Sequence, residues 1–478
     1  MRKTSYQLRK GVNLVHHGED FYLLSEFPLI TVKVNKALYD ILCAMGRSNP
    51  LSSSVEKHRP LIDLLNNLVA KGLLTKDETI ETQIYPPISI IIPVKNRPDI
   101  RDCLKSLELL DYPKDKIEVI VVDDGSTDST AKVIQTFKIE AILLTHTIGA
   151  SACRNLAVKE AKGELIGFID SDCVAHSNWL KDLVPYFEEE KVGIVGGYVS
   201  NFYYRSALDR YEDTKSPLNM GRHSFGAEDA KSSNAYVPSC NLIIRKKAFL
   251  EVSGFQRDLN VGEDVDLCWR VRKLGYYLLY RPQGEVKHKH RNNVMSMLKR
   301  RFDYGTSEAI LYWRHRDKRK MLYFPTLYSV FYASICLGMI LQYPFFFVFA
   351  LGVLLIDFFR KHGKIKKNEL GLRSSKVFLA VLRSHLSFSY HSSSYLVRYY
   401  LIFFIALSFL YAKMWVFLLF LLIFSAIVDF SIKGPNVNFF YFFIFYVMDQ
   451  LAYQAGVFWG CVVKKNFMPY LPIILRNP

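Results

Sequence analysis

The stretch Ile88-Ser-Ile-Ile-Ile-Pro-Val-Lys-Asn-Arg97 is an apolar, β-branched run that ends in a polar turn containing proline. Four more short apolar runs follow, at residues 117–122, 141–144, 165–169 and 193–199. Helical stretches separate the first four runs. Strands without polar alternation are buried on both faces, so this rhythm predicts an α/β fold with a mainly parallel sheet covered by helices on both sides. In such open sheets ligands bind at the carboxyl ends of the strands. Pro93, Asn96 and Arg97 sit at the first of these ends and are candidate ligand-binding positions.

Acidic groups sit at the next strand ends. Val119-Ile-Val-Val-Asp-Asp-Gly-Ser-Thr-Asp128 delivers Asp123 and Asp124, which can accept hydrogen bonds from a base N–H or a ribose hydroxyl. A carboxylate before a Gly-Ser turn can equally just cap the next helix. Gly163-Glu-Leu-Ile-Gly-Phe-Ile-Asp-Ser-Asp172 delivers Asp170 and Asp172. A divalent ion holding a diphosphate needs hard oxygen ligands and leaves positions for phosphate and water. In Gly262-Glu-Asp-Val-Asp-Leu-Cys-Trp-Arg270, a carboxylate at a helix start can take a proton from an acceptor hydroxyl. Glu263 and Asp264 can also be read as ordinary favourable charges at a helix N-terminus.

In this order, the four features resemble the family 2 glycosyltransferases, which have the GT-A nucleotide-sugar-binding fold. The resemblance covers roughly 200 residues. It implies that Asp123 or Asp124 contacts the nucleotide and that Asp172 is the main metal-binding carboxylate, with Asp170 beside the donor. It further implies that Asp264, paired with Glu263, is the catalytic base of an inverting transfer that uses Mg2+ or Mn2+. Arg154, in Gly149-Ala-Ser-Ala-Cys-Arg-Asn155, matches the family's Ala-Arg-Asn position and can pair with phosphate or orient carboxylates. Arg300 and Arg301 are candidate cations for the departing diphosphate, and His288 and His290 can complete metal coordination. The Gln-x-x-Arg-Trp motif of processive synthases is missing from Lys299-Arg-Arg-Phe-Asp-Tyr-Gly-Thr-Ser-Glu308.

The flanks give this domain (residues 86–320) its setting. In residues 1–82, alternating runs at 6–14, 21–24 and 29–34 predict strands, and a helix is expected from Asn35, its N-cap, to Met45. Leu61, Leu64, Leu65 and Leu68 mark a second helix that stops at Gly72. The polar residues 76–83 before Pro86-Pro87 read as a linker. This order resembles PqqD-like domains, winged-helix units that bind the leader of a ribosomally made precursor peptide by strand addition. A winged-helix unit that only stabilises or oligomerises is the alternative. Such a unit fused to a family 2 transferase with an apolar tail resembles the glycosyltransferases of mycofactocin systems. That likeness implies transfer of glucose from UDP-glucose to a peptide-derived redox cofactor or its precursor, building a short β-linked oligosaccharide.

The third segment, residues 321–478, carries apolar runs at 323–359, 399–430 and 439–463 that read as four membrane spans, with 377–398 along the interface. The chain carries 62 Lys/Arg against 45 Asp/Glu, and the excess is concentrated beside these runs. Residues 287–320 hold eleven basic against three acidic residues, and 360–376 seven against one. Basic blocks beside apolar spans favour an anionic membrane surface over nucleic acid and place the soluble parts on the cytoplasmic side of a multi-pass cell-membrane protein. The eight cysteines include no Cys-x-x-Cys pair, which suits a reducing compartment. Two other functions compete: a membrane enzyme making a lipid-linked or cell-wall glycan, and an inactive peptide-binding scaffold. The second is disfavoured because the acidic motif residues are all present.

Overall fold

Apolar–polar alternation at the start of the chain gives half-buried strands. In the computed structural model they are β1 (Arg2–Leu8), β2 (Val12–His17), β3 (Asp20–Ser25) and β4 (Ile30–Val34). The structure describes residues 2–26, 28–45, 59–80, 85–227, 234–290 and 293–476. The single strand expected over residues 6–14 is broken at Gly11, whose φ of +90° suits glycine. β2, β3 and β4 form a meander, while β1 pairs antiparallel with β5 (Leu74–Ile80). Residues 76–80 are therefore strand and not linker, because backbone pairing along β1 does not depend on side-chain polarity; residues 81–83 lie outside the described residues. Helix α1 (Lys36–Met45) starts as expected, with the Leu38 N–H donating to Asn35 Oδ1 at 2.9 Å. Helix α2 (Arg59–Ala70) ends before Gly72, and Leu42, Leu65 and Leu68 pack with Leu23 and Leu73 in one core.

The central region adds β6 (Ile88–Val94), α3 (Ile100–Glu108), β7 (Ile117–Asp123), α4 (Thr130–Ile134), β8 (Glu140–Leu143) and α5 (Ala150–Glu160). Then come β9 (Leu165–Ile169), β10 (Cys173–Ala175), α6 (Trp179–Leu183), β11 (Val192–Asn201), α7 (Ala207–Lys215) and β12 (Phe225–Ala227). It closes with β13 (Asn241–Arg245), α8 (Lys246–Glu251), α9 (Glu263–Lys273), β14 (Tyr277–His288) and α10 (Val294–Arg314). All five predicted strands are present. β9, β6, β7 and β8 are neighbours and parallel, as expected. Beyond β9 the sheet is mixed: β13 enters antiparallel to both β9 and β11, and β14 runs parallel to β11. Helices cover both faces. Cys153 and Ala157 of α5, Phe249 of α8 and Leu267 of α9 share a core with Ile166 and Phe168, whereas Trp179 of α6 meets Gly167 on the opposite face.

Five helices follow: α11 (Thr326–Leu341), α12 (Phe345–Lys367), α13 (Ser374–Leu410), α14 (Met414–Lys433) and α15 (Phe439–Lys464). Among the described residues, α13 and α14 are long and apolar enough to cross a membrane. The break expected near Gln342-Tyr343-Pro344 separates α11 from α12. Residues 377–398, expected along the interface, instead continue into the next apolar run as a single helix, α13. The tail is also divided. Residues 1–81, 322–425 and 474–478 form one compact unit, and 82–321 with 426–473 form the other. α15 thus belongs with the sheet, because its buried face carries Asp449, Gln450, Tyr453 and Gln454 and packs on α10. The two backbones touch. A Cβ on Gly456 would stand 2.0 Å from the Phe302 carbonyl oxygen, and one on Gly460 would stand 2.5 Å from that of Thr306.

Candidate active site

Two strand ends are stitched together by backbone-to-side-chain hydrogen bonds. Asn96 lies in the left-handed region, at φ +48°. Its N–H donates to Ser126 Oγ, and its Oδ1 accepts from the Thr127 N–H, both at 2.8 Å. Asp123 accepts from the Ser126 N–H at 3.1 Å. The buried carboxylate of Asp124 accepts from the Ile148 N–H at 2.6 Å and the Gly149 N–H at 3.1 Å, just before α5. These acids organise loops, and neither lines the central cavity described below. Arg97 extends further, placing Nη2 3.2 Å from Asp172 Oδ2.

A second acidic pair sits in quite different surroundings. Gly262, at φ +78°, turns the chain into α9 so that Glu263 and Asp264 occupy its first turn. Glu263 is mostly buried, and burial together with repulsion from Asp264 pushes its carboxyl up to about 7, against the pull of Arg154. Burial also raises Asp264, despite N–H donation from Val265 at 2.8 Å and Ser239 at 3.2 Å. Arg154, itself buried, pairs with Asp170 at 2.6 Å and with Glu263 at 3.2 Å. Burial works against its charge, but those carboxylates outweigh it and hold its pKa above the ordinary value. The guanidinium thus ties the Asp-x-Asp strand end to the start of α9.

Asp172 stands at the end of β9, where β10 pairs with β14 and brings Cys173 opposite His288. Asp172 Oδ1 lies 3.4 Å from His288 Nε2, and among the described residues Asp172, Cys173 and His288 form a group able to hold a cation. The buried Nδ1 of His288 has no hydrogen-bond partner. A carboxylate oxygen and an imidazole nitrogen can both ligate a divalent ion, so the residues present fit the implied metal. His290 is placed differently from expectation. It is buried with Nδ1 3.9 Å from Glu212 Oε2, outside the cation group. Burial, with the nearby His288 and Arg301, drives its pKa down to about 2, so its imidazole is neutral.

Arg300 and Arg301 also divide. Arg301 is buried in an ion-pair network, with Glu212 of α7 at 2.6 Å and Asp449 of α15 at 3.1 Å. Tyr211 donates to the same Asp449 at 3.0 Å. Burial, tempered by Arg301, raises Glu212 to about 7. Arg300 stacks on Tyr304 at 4.8 Å; burial opposes its charge, but Tyr304, Glu263 and Asp170 raise its pKa overall. It is the better placed of the two to meet an anionic ligand. One cavity of about 290 Å3 is lined by Pro93, Arg154, Asp170, Asp172, Glu263, Asp264, His288, His290, Arg300 and Arg301. Of the candidate residues, Asn96, Arg97, Asp123 and Asp124 stay outside its lining. Glu212, Tyr304 and Asp449 are the residues sequence reasoning missed. Asp449 had a signal: an acid inside an apolar run needs a partner.

The family model described as Glycosyl transferase family 2 matches residues 89–253. The Pre-mycofactocin glycosyltransferase of Mycobacterium tuberculosis is 34% identical over 236 residues, which are 48% of this chain and 48% of the relative. The chain therefore spans about half the length of that relative. Glycosyltransferase AglE of Haloferax volcanii is 30% identical over 226 residues, 44% of this chain and 72% of its own. The O-antigen chain rhamnosyltransferase RfbN of Salmonella typhimurium is 29% identical over 255 residues, 48% of this chain and 75% of its own. Among solved structures, the mannosyltransferase PcManGT from Pyrobaculum calidifontis, in complex with GDP-Man and Mn2+, is 19% identical. It covers 64% of this chain and 89% of its own with a TM-score of 0.40, a superposition too loose to carry site geometry.

Proposed function

The chain belongs to glycosyl transferase family 2, and from that premise we propose that it is a metal-dependent, inverting hexosyltransferase acting on a peptide-derived redox cofactor or its precursor. The donor in this reading is UDP-glucose and the product a short β-linked oligosaccharide. The observation that carries the transfer chemistry is the desolvated Glu263–Asp264 pair in one cavity with Asp172 and His288. The acceptor reading rests on the mycobacterial relative and on the PqqD-like order of the first 80 residues.

Asp264 is the base. The acceptor O–H gives its proton to this carboxylate, and the freed oxygen pair bonds the anomeric carbon from the face opposite the leaving group. The bond from that carbon to the phosphate oxygen breaks, with its electron pair leaving on the diphosphate. Burial favours a base whose pKa lies close to working pH. Arg300 offsets charge on the diphosphate, while Arg154 holds Asp170 and Glu263 in place. Asp172 and His288 would hold a divalent ion, which when bound neutralises charge on the leaving group. Pro93, Asn96, Arg97 and Asp123 or Asp124 complete the nucleotide side, with Asn96 and both acids acting through the loops they order.

A second reading is a membrane enzyme making a lipid-linked or cell-wall glycan, favoured by the O-antigen relative and the two apolar helices. In either reading the protein sits at the cell membrane with its basic segments on the cytoplasmic side. Incubating the protein with a panel of nucleotide sugars, Mn2+ or Mg2+, and either the peptide-derived acceptor or a lipid-linked one, read by mass spectrometry, tests the proposal. Hexose additions from UDP-glucose that vanish on chelation are expected. Donor turnover with transfer only to a lipid-linked acceptor selects the second reading, and no turnover of any nucleotide sugar sinks both.

A further inference from the structure

The turn that joins α12 to α13 is anchored on one side and open on the other. On its inner side, Ile365, Leu370 and Val377 pack with Tyr22 and Leu24 of β3 in one buried cluster. Around that cluster Lys376 pairs with Glu26 at 2.7 Å, and His17 Nε2 lies 2.5 Å from Glu369. Lys361 is also occupied, donating to Asp357 at 2.7 Å and to the Tyr328 hydroxyl at 2.9 Å. These contacts use two of the seven basic residues between Arg360 and Lys376, and the one acid, Glu369. The other five are Arg360, Lys364, Lys366, Lys367 and Arg373. All five are exposed, and none makes an ion pair with another described residue.

Resting on the membrane reading, we propose that the outer face of this turn docks on anionic phospholipid headgroups and holds them in preference to zwitterionic ones. Apolar side chains flank the charge. Leu355, Ile356 and Phe359 stand exposed on α12 just before it, and Leu379 and Leu386 on α13 just after it. Ile356, Arg360, Lys364 and Lys367 follow one another at helical spacing, so a single stripe of α12 passes from apolar to cationic. Such a stripe fits the edge of a bilayer, with acyl chains against the isoleucine and phosphates against the cations. A nucleic acid would meet the cations alone and leave the apolar rows in water. The anchored inner side matters too, because cations on a fixed turn lose little freedom when a headgroup binds.

The full chain in detergent is given equal amounts of phosphatidylglycerol and phosphatidylcholine with the same acyl chains. Native mass spectrometry then reads the ratio of the two lipids retained, which does not depend on how much protein is folded. Each cation near an anionic surface contributes about fivefold in affinity, so the wild-type ratio should exceed about ten and fall at high salt. The triple variant Lys364→Gln, Lys366→Gln, Lys367→Gln should bring it close to one. Removing the same charge elsewhere, at the exposed Lys132, Lys138 and Lys159, should leave it unchanged. A wild-type ratio near one overturns the proposal, as does a preference that survives the triple variant at the turn. Retention of a short oligouridylate that this variant loses, with no lipid preference, assigns the face to nucleic acid and also overturns it. A protein that stays in solution without detergent and retains neither lipid overturns the membrane reading instead.

Discussion

Asp123-Asp124 and Glu263-Asp264 are both acidic pairs beside a glycine, and their local sequences promise much the same chemistry. Their surroundings separate them. Asp124 spends its carboxylate on the amides of Ile148 and Gly149, and Asp123 spends its own on Ser126. Glu263 and Asp264 stand in the cavity wall, where burial lifts both and Glu263 reaches about 7. A carboxylate saturated with N–H donors holds a loop. One that faces a cavity, its pKa raised by burial although Asp264 too accepts two N–H groups, can take up a proton. The difference between organiser and proposed base thus lies in what the carboxylate faces, a loop or a cavity, and not in residue type.

The strongest way to break this contrast is Asp264→Asn. Turnover should fall about a thousandfold, since the amide cannot accept the acceptor's proton, while nucleotide-sugar binding by calorimetry persists. Retained turnover would remove the base assignment. Glu263→Gln gives a smaller effect and a sharper one. The base must be deprotonated to act, so activity should fall as pH drops through the range of the pair, near 7 for Glu263. With the neighbouring carboxylate replaced, its repulsion is gone, and the acid limb of kcat/KM should move down by roughly one pH unit. A limb that stays in place would show that the two groups do not act as a pair.

Much of the fold that carries the two pairs was legible in the sequence. The strands of the sheet appear because an unbroken β-branched run such as Ile88–Val94 has no polar face to offer water, and all seven of its residues are buried. The Asn35 cap was legible because its partner is three residues away. What stayed hidden depends on partners set by packing. Nothing near Arg301 announces that Glu212 and Asp449 will consume it, and nothing separates it from Arg300 beside it. The antiparallel entry of β13 between β9 and β11 is likewise a matter of sheet order, which no local period encodes. His288 and His290 look equivalent in sequence, yet among the described residues only His288 falls in the cation group with Asp172.

The mildest test acts on the other acidic pair. In Asp124→Asn the side chain keeps one carbonyl oxygen, and its NH2 faces amide donors that need an acceptor. An amide oxygen at the Oδ1 position keeps the Ile148 N–H but holds the Gly149 N–H only at 3.3 Å, so that bond weakens in a part-buried setting, at a cost of about 1 kcal/mol. The carboxylate also lies at the amino end of α5, so neutralising it removes a favourable charge from that helix. Thermal denaturation should register a fall of about 2–4 °C per kcal/mol lost. The donor KM should rise as the loop shifts, while kcat changes less than in Asp264→Asn. The opposite pattern, lost turnover with an unchanged melting temperature, would mean that Asp124 works on the substrate directly. The strand end would then be a chemical site like the start of α9, and placement in the cavity wall would no longer distinguish the two.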